Sequence, residues 1–149
     1  MSLEESINSD IKTALLAKNE ASLRALRAVK SAILLAKTSG GGTVLTQDDE
    51  MKILQKLVKQ RKESVDIYEK QDRPDLSKGE LEEIAVIEKY LPAQMSEADI
   101  RTELKKLIDS MGAKSPAETG KVMGAASKAF AGKADNQIVA AIVKELLAG

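Results

Sequence analysis

Hydrophobic side chains recur every three or four positions along nearly the whole chain. Leu3, Ile7, Ile11 and Leu15 mark a first stripe, and Leu26, Val29, Ile33 and Ala36 a second. The third is the longest, running through Met51, Leu54, Val58, Val65 and Tyr68, with Arg61 at one of its positions. Leu81, Ile84, Ile87 and Leu91 make a fourth, and Ile100, Leu104, Leu107, Ile108 and Met111 a fifth. Ile138, Ile142 and Leu146 close the series. This is the spacing of helices that each bury one face. Nothing alternates with period two over strand length, and Thr43-Val44-Leu45 is too short to matter. The pattern predicts an all-α fold.

Helix-start signals punctuate the stripes. Ser2-x-x-Glu5, Thr46-x-x-Asp49, Ser77-x-x-Glu80, Ser96-x-x-Asp99 and Ser115-Pro116-x-Glu118 resemble capping boxes, and Asn19 and Asp135 suit simple caps. The last box adds proline at the first helical position. Breaks are equally plain. Ser39-Gly40-Gly41-Gly42 predicts a flexible loop, Asp72-Arg73-Pro74 a turn after the third helix, and Tyr90-Leu91-Pro92 the end of the fourth. The expected organisation is an N-terminal four-helix bundle-like domain over residues 1–92, followed by a small three-helix domain over residues 96–149.

Composition narrows the chemistry. The aromatic residues are Phe130, Tyr68 and Tyr90 alone, so the core must be aliphatic. The chain has no cysteine and no histidine, which excludes disulfides, thiol nucleophiles, imidazole bases and zinc sites of the usual kinds. Formal net charge is zero, so a nucleic-acid site must be a local patch. The start lacks a basic-then-apolar leader pattern and no apolar run has membrane length. These features predict a cytoplasmic protein with no membrane partner.

The sixth segment holds the main candidate site. Residues 119–135 read TGKVMGAASKAFAGKAD. On a wheel of about 100° per residue, Val122, Met123, Ala126, Ala129 and Phe130 fall on one side. Gly120, Lys121, Gly124 and Lys128 fall on the other. Between residues 113 and 133 stand Lys114, Lys121, Lys128 and Lys133 against Glu118 alone. Lysines would attract a phosphate backbone, and bare glycine would let it approach closely. The spacing does not fit the Walker pattern, and no strand precedes it. The competing reading is a glycine face packed on the first domain, with solvated lysines.

Three other groups favour structural roles. Lys59-Gln60-Arg61-Lys62 is a basic run of the kind that usually coats a helix, with Arg61 expected to pair with a carboxylate. Arg24, Arg27, Lys30 and Lys37 read as a solvated exterior. Glu80, Glu82, Glu83 and Glu88 suggest favourable charge in a first turn more than a metal or acid–base site.

Taken in order, several of these pieces resemble the GatB/YqeY family. They are Lys59-Gln60-Arg61-Lys62-Glu63-Ser64, Arg73-x-Asp75-Leu76, Glu80-x-x-Glu83, Tyr90-Leu91-Pro92-x-Gln94, Gly120-Lys121-Val122-Met123 and Gly132-Lys133-Ala134-Asp135. Asn136 departs from the glycine expected after the last run. The resemblance implies a stand-alone YqeY-like protein with a larger helical N-terminal part and a three-helix C-terminal part. It also implies kinship with the tail of the tRNA-dependent amidotransferase B subunit, which contacts tRNA. The label carried by such proteins is carbon–nitrogen ligase with glutamine as amido donor. The chain shows no nucleophile with a positioned base, so the sequence leans away from an enzyme. The leading expectation is an accessory module binding tRNA or structured RNA through Gly120, Lys121, Gly124, Lys128 and Lys133, with no cofactor and no metal. Amide-transfer chemistry, alone or in an amidotransferase complex, and a helical protein-interaction module are the alternatives.

Overall fold

The computed structural model describes residues 2–39 and 44–148. It contains α1 (Leu3–Leu16), α2 (Glu20–Ser39), α3 (Gln47–Lys70), α4 (Pro74–Glu88), α5 (Glu97–Met111), a 3₁₀ turn (Pro116–Glu118), α6 (Thr119–Ala129) and α7 (Asn136–Ala148). No strand occurs among the described residues, so the fold is all-α as the periodicity predicts. The loop expected at Gly40, Gly41 and Gly42 lies outside the described residues. The chain divides into two compact units, Met1–Leu91 and Pro92–Gly149.

Most helix starts follow their caps. The hydroxyls of Ser2, Thr46 and Ser96 accept from the backbone N–H groups of Glu5, Asp49 and Asp99 at 3.1–3.2 Å. Asn19 Oδ1 accepts from Ser22 N–H at 3.1 Å. The expected start at Ser77 is wrong. α4 begins one turn earlier, with Pro74 in its first turn and Arg73 before it. Ser77 is buried inside the helix and donates to the Pro74 carbonyl at 3.2 Å. Proline does more than end α3 here: its fixed φ opens the next helix. Glu80 therefore lies beyond the first turn, where Asp75 supplies the acidic charge.

In the N-terminal unit, α2 packs against α1, α3 and α4, and α4 also packs against α3. Ile7, Ala14, Leu26, Val29, Ile33, Leu54, Val58, Val65, Ile84 and Ile87 form its core. Two stripe residues depart from expectation. Leu15 and Leu81 are each half exposed, because they sit at the margins of stripes centred on Ile7 and Ile84. Arg61 lies where the α3 stripe meets α4. Its Nη1 donates to the Leu57 carbonyl at 3.1 Å, and its Nε faces Glu83 Oε1 at 3.4 Å. Arg24 reaches Glu82 and Glu83, and Lys62 reaches Glu88. The acidic group on α4 thus bridges α4 to α2 and α3. Among the described residues no three acidic, histidine or cysteine side chains converge as a metal site. Tyr90 Oη donates to Asp10, tying the end of α4 to α1; burial and the Asp10 charge hold the phenol well above its ordinary range.

In the C-terminal unit α5, α6 and α7 all touch one another. Ile100, Leu104, Val122, Ala126, Phe130, Val139, Ile142 and Val143 are the centre of its core. Gly112 ends α5 in the left-handed conformation, with φ of 67°. Ile138 was expected in the core but is 45 % exposed, and Val139 and Val143 take the inward positions.

Candidate nucleic-acid interface

α6 is assembled from its N-terminus by one carboxylate. Glu118 accepts from the backbone N–H groups of Lys114 at 2.6 Å and Ser115 at 3.2 Å. These two bonds, chiefly, hold its carboxyl below the ordinary value of 4.5, and the charges of Lys121 and Lys114 add to the effect. The 3₁₀ turn then passes directly into α6. Val122 and Ala126 are fully buried and Phe130 nearly so, which fixes the rotation of the helix.

That rotation turns Gly120, Lys121, Gly124, Ser127 and Lys128 outward, all exposed. A Cβ added at Gly120 or Gly124 would meet nothing within 4 Å. Neither glycine is needed for packing within the three-helix unit. Ala129, assigned by the wheel to the apolar side, is exposed instead. It lies about 60° from the centre of the buried stripe, at the last residue of the helix. Met123 is half-buried, as its place beside the core requires.

Lys133 arrives from a different element. Phe130 N–H closes α6 on the Ala126 carbonyl at 2.8 Å, and Lys133 N–H returns to the Phe130 carbonyl at 2.9 Å. Gly132 between them has φ of 74°, a conformation that favours glycine. The segment before α5 clamps this turn. Gln94 Nε2 donates to the carbonyls of Gly132 and Pro92, both at 2.8 Å. Met95 N–H donates to the Lys133 carbonyl at 3.0 Å. Sequence reasoning assigned Gln94 no role. A side chain that bonds a carbonyl 38 residues away leaves no periodic trace. Its signs in the sequence were its place after a helix-ending proline and in the run Tyr90-Leu91-Pro92-x-Gln94 that carries the family resemblance.

The electrostatics are uneven. Elsewhere in the unit Arg101 pairs with Glu145 and Glu97, and Lys106 with Glu103. No carboxylate among the described residues lies within ion-pair distance of Lys121, Lys128 or Lys133. Lys133 does border an open depression of about 470 Å³ that Asp99 and Glu103 also line. On the exposed face of α6, Lys121 and Lys128 stand seven residues and roughly 10 Å apart along the helix, with Glu118 the acidic group near Lys121. The structure places four of the five expected site residues on one helix face and Lys133 on the turn that follows it.

Comparison with known proteins identifies the relatives of this chain. The family model described as Yqey-like protein matches residues 4–147. The protein named "Altered inheritance of mitochondria protein 41, mitochondrial" is similar in several fungi. In Clavispora lusitaniae it is 31% identical over 113 residues, covering 74% of this chain and 65% of the relative. In Saccharomyces cerevisiae it is 33% identical over 111 residues, covering 72% and 60%. In Vanderwaltozyma polyspora the figures are 29% over 107 residues, covering 70% and 58%. The matched region thus spans less than two thirds of the length of these relatives. Their names overturn the expectation of a cytoplasmic protein, which rested on composition and the lack of a leader-like pattern, and neither separates one aqueous compartment from another. No described helix is long and apolar enough to cross a membrane. The match over residues 4–147 settles the family: the chain belongs to the YqeY-like proteins.

Proposed function

We propose that the exposed face of α6, together with Lys133, docks structured RNA of the tRNA type through its phosphate backbone. The observation that carries this reading is the pairing of open glycine backbone with unpaired lysine. Gly120 and Gly124 leave the helix surface bare, and Lys121 and Lys128 flank it without an ion pair among the described residues, Glu118 being the acidic group near Lys121. Phosphate contacts position a nucleic acid without reading its bases. Base stacking adds little, because Phe130, the unit's one aromatic residue, is 8 % exposed. The resemblance to the tail of the amidotransferase B subunit points to the same ligand.

Three lysines neutralising three phosphates give a slope of about −2 to −2.7 in log K against log salt. Affinity then falls roughly 20- to 40-fold between 50 and 200 mM salt. Lys121→Glu with Lys128→Glu leaves one contact, so the slope flattens to about −0.7 to −0.9 and binding at low salt drops steeply. Fluorescence anisotropy with labelled tRNA measures both. Absence of binding at low salt refutes the proposal. Glutaminase or transamidation activity in the purified chain would replace it with a catalytic reading.

A further inference from the structure

We infer that Gln94 is the positioning residue for Lys133, setting that cation on the RNA-facing side of the α6–α7 turn; this rests on the RNA reading above. Within the turn, Lys133 N–H closes on the Phe130 carbonyl at 2.9 Å. Lys133 is exposed, and Gly132 gives the backbone freedom at the residue before it. Further fastening comes from the Pro92–Met95 segment by two routes. The Gln94 amide spends both its donor hydrogens on carbonyls, one on Pro92 in its own segment and one on Gly132 across the gap. Met95 N–H then takes the Lys133 carbonyl. Gln94 is thus a staple between the start of α5 and the end of α6, while Ala134 anchors the far side of the turn by burial.

The neighbouring charges explain why a staple matters. Asp99 and Glu103 line the same depression as Lys133 and Gln94. A lysine on a loose turn would be drawn to those carboxylates and its charge would be lost to a phosphate partner. With the Gly132 carbonyl held by Gln94, Lys133 makes no ion pair among the described residues. Glutamine suits the role because its amide offers two donors from one nitrogen. Glutamate in the same place would set a carboxylate against two carbonyl oxygens.

The experiment compares wild type, Gln94→Met, Lys133→Ala and the double variant in the full chain, by tRNA affinity across a salt series. Gln94→Met and Lys133→Ala should each flatten the slope by about 0.7–0.9, the loss of one phosphate contact. The double variant should match Lys133→Ala alone, since Gln94 acts only through Lys133. Amide exchange in the free protein supplies a second readout: Gln94→Met should speed exchange at Met95 and Lys133 and leave Val122 and Val143 unchanged. Gln94→Asn, which keeps the amide but cannot span both carbonyls, should reproduce the slope loss should Gln94→Met disturb folding. Binding by wild type with an unchanged slope in Gln94→Met, or additive losses in the double variant, overturns the inference. Failure of wild type to bind tRNA overturns the RNA reading, and this assignment with it.

Discussion

Replacing Gly120 and Gly124 together by alanine separates a folding role for these glycines from a docking role. In an exposed helix interior, alanine is favoured over glycine by about 0.8–1 kcal/mol. Gly124 is in mid-helix and carries that full gain. Gly120 is the second residue of α6, where the gain is smaller, about 0.5 kcal/mol. Nothing within 4 Å opposes either new methyl group, so no clash term offsets the sum. The double variant should be stabilised by about 1.5 kcal/mol, large for a unit whose total stability is of order 3–8 kcal/mol. Hydrogen exchange of the buried Val122 and Ala126 amides is the assay, and it should slow about tenfold. The same methyl groups should hold a phosphate backbone away from the helix and weaken tRNA binding by roughly 1 kcal/mol, about fivefold. Destabilisation would show that the glycines serve packing. Stabilisation with unchanged tRNA affinity would show that close approach at these positions is not used.

Further outcomes follow from the ion pairs and caps. Glu118 has a depressed carboxyl, so the stability it lends to the start of α6 is present above its ordinary value of 4.5 and is lost as pH falls through the lower, folded value. Amide exchange at Ser115 and Lys114 should therefore quicken on acidification, and Glu118→Gln should weaken that pH dependence; an identical profile in the variant would refute the assignment. Arg61 and Glu83 are each 15 % exposed, so Arg61→Ala strands a largely buried carboxylate that Arg24 contacts only at 3.7 Å. Denaturant melts should show a loss of about 2 kcal/mol in the N-terminal unit, and a loss below about 0.5 kcal/mol would mean the pair is solvated.

The fold was largely legible because it is built from local signals. Five of the seven expected starts open an α-helix, since a cap and its N–H partner lie within three residues of each other, while Ser115 opens the 3₁₀ turn that leads into α6. Ser77 misled because its box pattern sits one turn inside α4, where Pro74 had already set the backbone. Leu15, Leu81, Met111 and Ile138 were misjudged for another reason: a stripe defines a centre, and residues at its edge are decided by what packs opposite. The site divides along the same line. The outward turn of Gly120, Lys121, Gly124 and Lys128 follows from the rotation that buries Val122, Ala126 and Phe130, and periodicity shows it. The Gln94 staple and the carboxylates beside Lys133 are tertiary and invisible to spacing. The cellular compartment was misread because an aliphatic helical chain without cysteine or histidine suits more than one.

The salt dependence of tRNA binding, for wild type against Lys121→Glu with Lys128→Glu, tests the central claim most directly. The account predicts a wild-type slope of about −2 to −2.7, and a slope of about −0.7 to −0.9 with greatly reduced affinity in the variant. Undetectable wild-type binding at low salt, or equal slopes in the two proteins, would contradict it.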